Sequence, residues 1–88
     1  MTKSTETPLT ERLKAHMRAN DMKHSTLAAL VRSRGGAVSR QGAWQWTTGR
    51  TKPSARNRRA LAWLLGCTAD EVLLLAEGYD PVDEVSDG

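Results

Sequence analysis

The chain has a single cysteine, Cys67, among 88 residues. No intrachain disulfide can form, and a cytoplasmic setting is the expectation. No apolar run reaches the length that spans a bilayer, and the first residues lack a signal-peptide pattern, so no membrane partner is expected. His16, His24 and Cys67 make no metal-ligand spacing, so neither metal nor other cofactor is expected. Ser/His/Asp and Cys/His arrangements, Gly-rich phosphate loops and carboxylate pairs are missing from the basic part of the chain, which argues against an enzyme. There is no internal repeat and no alternating apolar pattern of strand length.

The most informative absence is one of charge. No Asp or Glu occurs between Asp21 and Asp70. All 13 Lys and Arg lie at or before Arg59, against three carboxylates (Glu6, Glu11, Asp21) in residues 1–66, so that part carries +10. The remaining residues carry −7, from Asp70, Glu71, Glu77, Asp80, Asp83, Glu84 and Asp87. A solvated surface normally mixes signs. A polyanionic partner accounts for the segregation, because each phosphate contact favours Lys or Arg and tolerates no neighbouring carboxylate.

The periodicity predicts an all-α fold of five short helices packed around one core. Thr7-Pro8 reads as a cap and first helical residue, with Leu9, Leu13 and Met17 on one face and an end near Asn20. A second helix starts between Lys23 and Ser25, carries Leu27, Leu30 and Val31, and breaks at Gly35-Gly36. Ser39 caps a third helix, Arg40 to about Thr48, closed by Gly49. A basic loop, Arg50 to Pro53, leads to a fourth helix from about Ser54 through Leu65, closed by Gly66. Thr68 and Glu71 have capping-box spacing for a fifth, ending at Leu75 or Ala76. Residues 1–6 are expected to be a flexible N-terminus, 7–78 the folded domain, and 79–88 a disordered acidic tail.

The third helix has an unusual outward stripe. A period of 3.6 turns Gly42, Ala43 and Trp46 to one side and Arg40, Gln41, Trp44, Gln45 and Thr48 to the other. A guanidinium and two amides are the groups that make bidentate contacts with guanine and adenine edges. The stripe has no carboxylate. Gly42, costly inside a helix, suggests close approach of a neighbouring helix.

The stretch Val38 to Gly49, with Arg50-Thr51-Lys52-Pro53-Ser54 after it, resembles the Cro/cI-like (Xre-type) helix-turn-helix repressors. The likeness lies in the third helix, its closing Trp46-x-x-Gly49, and the basic loop ending in proline and serine. Leu61-Ala62, Leu65-Gly66 and Thr68-x-Asp70-Glu71-Val72-Leu73 continue it. Upstream, Arg12-Leu13-Lys14 and Met22 to Ala28 are similar to the first helix and the start of the second. The resemblance covers about residues 9–75 and is more specific downstream than upstream.

It implies a sequence-specific regulator of double-stranded DNA, a repressor of phage or bacterial type that binds its operator as a homodimer. Arg40, Gln41 and Gln45 correspond to base-reading positions, Thr48 and Lys52 to backbone-contacting ones, and Ser25 and Thr26 to a phosphate contact at the start of helix two. Trp46 matches a core position. Trp44, on the outward stripe, either touches a thymine methyl or sugar edge or packs on the preceding turn. That turn, Arg32 to Ala37, is longer than the family's, which leaves the angle between helices two and three open. Arg32 and Arg34 there either contact phosphate or are solvated. Arg50 in the loop and Arg56 at the start of helix four are further backbone candidates; cations there oppose the helix dipole, a cost that phosphate contacts offset. Arg58 and Cys67 stand where the family places apolar residues, and Cys67 is expected as a buried, inert thiol. Trp63, Leu74, Leu75 and Tyr79 exceed what one small core needs and are the dimer-interface candidates. Two other readings keep the same fold: an antitoxin whose acidic tail binds a basic toxin, and a protein-binding adaptor.

Overall fold

A computed structural model describes residues 7–79; the N-terminal segment 1–6 and the acidic residues 80–88 lie outside the described residues. The described chain is all-helical, with five helices and no strand. They are α1 (Pro8–Ala19), α2 (His24–Ser33), α3 (Arg40–Thr48), α4 (Ala55–Leu65) and α5 (Ala69–Ala76). No helix among the described residues is long and apolar enough to cross a membrane.

Local chemistry sets the boundaries. The hydroxyls of Thr7, Ser39, Ser54 and Thr68 accept from the backbone N–H three residues on, and Thr68 and Glu71 close a reciprocal box. Each such cap is worth about 1 kcal/mol. Gly49 and Gly66 stop α3 and α4 in the left-handed region, at φ 79° and 73°, where a Cβ would be strained. α2 is the exception, because its N-cap, Lys23, makes no side-chain bond to the helix end.

The core is apolar and made by all five helices. Leu9, Leu13 and Met17 of α1 meet Leu27, Ala28 and Val31 of α2, Ala43 and Trp46 of α3, Ala60, Leu61 and Ala62 of α4, and Val72, Leu75 and Ala76 of α5. α2 packs chiefly on α3 and α4 chiefly on α5, with α1 touching α3, α4 and α5. Trp46 is 3% exposed, the core role its position implied. Leu75, expected among the exposed apolar residues, is 1% exposed and belongs to this core. The reason is phase: Val72, Leu75 and Ala76 share the inward face of α5, which turns Leu73 and Leu74 outward.

The long connection between α2 and α3 is fastened to α4. Asn57, buried in the first turn of α4, accepts from the Ala37 N–H at 2.7 Å and donates to the Ala37 carbonyl at 3.3 Å. Arg56 donates from Nε to the Gly35 carbonyl at 2.6 Å, and Arg32 from a terminal nitrogen to the Val38 carbonyl at 2.8 Å. Gly36 is buried where a Cβ would lie 2.7 Å from Asn57 Oδ1 and 2.9 Å from the Val31 carbonyl. Gly42 differs from the expectation. A Cβ there would meet Val38 Cγ2 at 2.6 Å, so the glycine makes room for the residue leading into α3 rather than for a neighbouring helix.

Candidate nucleic-acid interface

Packing against α1 and α2 orients α3. Ala43, Trp46 and Thr47 are buried, while Arg40, Gln41 and Trp44 are exposed and Gln45 and Thr48 half-buried. Of the outward stripe expected from the period of 3.6, Arg40, Gln41 and Trp44 are therefore exposed and Gln45 and Thr48 only partly so. Arg40, Gln41 and Trp44 border an open groove of roughly 380 Å³, and the residue facing them from α2 is His24. Trp44 is 40% exposed, and the Arg50 guanidinium lies 5.2 Å from its ring centroid. The Arg50 N–H bonds back to the Gln45 carbonyl at 2.9 Å, turning the loop toward α3.

His24 and Thr47 were not among the residues singled out for this face. The single hydroxyl proton of Thr47 goes to the Trp44 carbonyl at 2.9 Å, which leaves its oxygen to accept from His24 Nε2–H at 3.0 Å. This relay ties the first residue of α2 to the middle of α3 and fixes the imidazole at the groove edge. A buried threonine on a helix is no signal in sequence, and the pairing spans 23 residues. Only the expectation of α2 against α3 could have suggested it.

The backbone candidates fall into two groups. Ser25 and Thr26 are exposed in the first turn of α2, the helix end that lacks a side-chain cap and has no acid in its first turn. Such an end leaves N–H groups and the positive pole of the helix dipole open to an anion. Arg50 and Lys52 lie exposed in the loop after α3, and Lys52 Nζ is 3.5 Å from a Glu77 carboxylate oxygen. Exposed pairs of this kind contribute little to stability, so the lysine is not committed to it. The other group has structural partners. Arg32 and Arg56 hold the connection as described, and the Arg34 guanidinium stacks 3.2 Å from the Trp63 ring centroid. The Thr48 hydroxyl donates within its own helix, toward the Trp44 and Gln45 carbonyls. Arg58, half-buried, donates to the Pro53 carbonyl at 3.0 Å.

Trp63 is 56% exposed and Tyr79 53% exposed, with Leu73 and Leu74 also exposed. The cation of Arg34 covers one face of the Trp63 indole. Cys67 packs partly buried against the core. Burial pushes its thiol above the ordinary range, repulsion from Glu71 adds to this, and Arg12 opposes it. No cluster of His, Cys, Asp or Glu among the described residues could hold a metal. No protein-family model, curated protein or solved structure matches the chain.

Proposed function

We propose that the chain is a helix-turn-helix regulator that reads double-stranded DNA in the major groove with α3. The observation that carries this reading is the carboxylate-free outward face of α3, with Arg40, Gln41 and Trp44 beside an open groove and Gln45 half-buried on the same helix. The resemblance to Cro/cI-like repressors, which implies base-reading residues at these positions, supports the same reading. An α-helix is about 10–12 Å across with its side chains, which suits a major groove about 12 Å wide. Ser25 and Thr26 at the uncapped start of α2 and Arg50 and Lys52 in the loop flank that face as phosphate contacts. Paired half-sites and a homodimer through Trp63, Leu74 and Tyr79 complete the proposal.

The test is selection of bound duplexes from random sequence, followed by variants. Arg40→Ala, Gln41→Ala and Gln45→Ala should each cost about 1–3 kcal/mol and relax preference at particular base pairs. Lys52→Ala should weaken selected and random duplexes alike, and affinity should fall with salt at a log–log slope of several units. Loss of affinity that is uniform across sequences in the α3 variants would show that α3 is not the reading helix. Absence of all salt-dependent duplex binding would favour the protein-binding adaptor.

A further inference from the structure

The groove between α2 and α3 has one lining residue that the proposed function leaves unused. Arg40, Gln41 and Trp44 come from α3, and His24, half-buried, faces them from α2. Its ring is held in one orientation. Thr47 gives its hydroxyl proton to the Trp44 carbonyl at 2.9 Å and accepts from His24 Nε2–H at 3.0 Å. In the neutral ring that bond makes Nδ1 an acceptor, and Nδ1 has no partner among the described residues. A backbone phosphate oxygen is also only an acceptor, so the neutral ring offers it nothing. One added proton turns Nδ1 into a charged donor and leaves the bond to Thr47 in place.

The surroundings hold cations and no acid to balance that charge. Neither α3 nor α4, on which α2 packs, contains a carboxylate. From α3 the charged group at the groove is Arg40. α4 carries Arg56, Arg58 and Arg59, of which Arg56 is bonded beyond the opposite end of α2, at the Gly35 carbonyl. The last turn of α1, which leads into α2, carries His16 and Arg18, while its Glu11 is in the first turn. Lys23 precedes the ring, and the nearest carboxylate along the chain, Asp21, is exposed and makes no ion pair with it. The balancing anion therefore has to come from a ligand.

We propose that His24 is a proton-dependent phosphate contact: duplex binding draws one proton from solvent onto the ring, which donates Nδ1–H to a backbone phosphate while Thr47 holds Nε2–H. This rests on the DNA reading above and adds a regulation to it, an affinity that rises as pH falls. Wherever the free ring is neutral, the complex holds one proton more than the free protein. Acidification then favours the complex, by at most about tenfold per pH unit. Histidine side chains change charge between about pH 5 and 8, which sets the window.

The experiment measures the affinity of the full chain for a random and a selected duplex from about pH 8 to 5.5 at constant salt, with His24→Gln and His16→Gln beside the parent. Glutamine keeps an amide donor for Thr47 but cannot take up the proton. Where the phosphate raises the ring's proton affinity tenfold, duplex affinity gains about tenfold in total across that range. The parent and His16→Gln should show this gain on both duplexes, and His24→Gln should stay flat near the parent's affinity at the alkaline end. Imidazole nitrogen resonances give a reading that needs no variant. The neutral ring of the free protein should carry its proton on Nε2, and at the same pH the ring in the duplex complex should carry both. A free ring protonated on Nδ1 overturns the proposal, because it already presents a donor. A pH dependence that survives in His24→Gln overturns it too, while the DNA reading stands. Dependence on the selected duplex alone assigns the ring to a base and overturns the phosphate contact. Absence of duplex binding at every pH overturns both readings together.

Discussion

Replacing Asn57 by alanine would remove the side chain that holds the α2–α3 connection against α4. Its amide oxygen and nitrogen bond the Ala37 N–H and carbonyl, at 2.7 and 3.3 Å. Two such bonds are worth about 1 kcal/mol each, net of what water offers in return. The buried side chain also leaves a small void, while alanine's better helix propensity restores about 0.5 kcal/mol. The balance is a loss of about 2 kcal/mol. For a domain of this size each kcal/mol lowers the midpoint by about 4–8 °C, so Tm should fall by roughly 8–16 °C. Calorimetry or denaturant unfolding measures it. Gly36→Ala supplies an internal check, since its Cβ would press on Asn57 Oδ1 at 2.7 Å. The double variant should lose less than the two singles together, because the alanine at 57 removes one of the clashing atoms. A fall of less than about 3 °C for Asn57→Ala would refute the idea that this amide fixes the connection.

The remaining predictions concern the surface and the thiol. On the proposed homodimer, Trp63→Ala should abolish or weaken self-association in sedimentation and reduce binding to selected full sites more than to half-sites, whereas Arg34→Ala, which leaves the indole in place, should not; a Trp63→Ala protein that dimerises like the parent puts the interface elsewhere. Cys67, raised by burial ahead of repulsion from Glu71, should alkylate several-fold more slowly in the folded chain than in denaturant at mildly alkaline pH. The neutral thiol's contribution to stability is complete below the ordinary thiol range, about 8.5, and is lost as pH rises from there through the higher folded value. Chemical unfolding of the parent and Cys67→Ala across that range should show the parent losing stability faster; parallel curves would remove the effect.

Much of the fold was legible because its signals are local. Thr7, Ser39 and Thr68 act within three residues of themselves, and glycines 49 and 66 at their own backbone angles, so five helices could be bounded from the sequence. The outward stripe of α3 followed from one period and one anchored residue, Trp46. What escaped depends on contacts between distant segments. Nothing near Asn57 says that its amide will meet Ala37, and nothing near Thr47 says that it will hold His24. Gly42 was assigned to a helix contact because the cost of a mid-helix glycine has several remedies, and Val38 is the one present. Leu75 was placed outside because a run of three leucines does not by itself reveal which of them the helix turns inward.

The bonds from Asn57 and Arg56 to the connection have a consequence for how α2 and α3 behave as a unit. A helix pair joined by a tight turn holds its own angle and can be regarded as a cassette, movable between scaffolds with its recognition surface intact. Here the connection between the two helices is held from outside as well, by side chains on α4 that reach back across about twenty positions of sequence. Residues 24–48 transplanted alone would keep the His24–Thr47 bond but lose the bonds from Asn57 and Arg56 that hold the connection between the helices. Any modular use of this surface has to take the first turn of α4 with it.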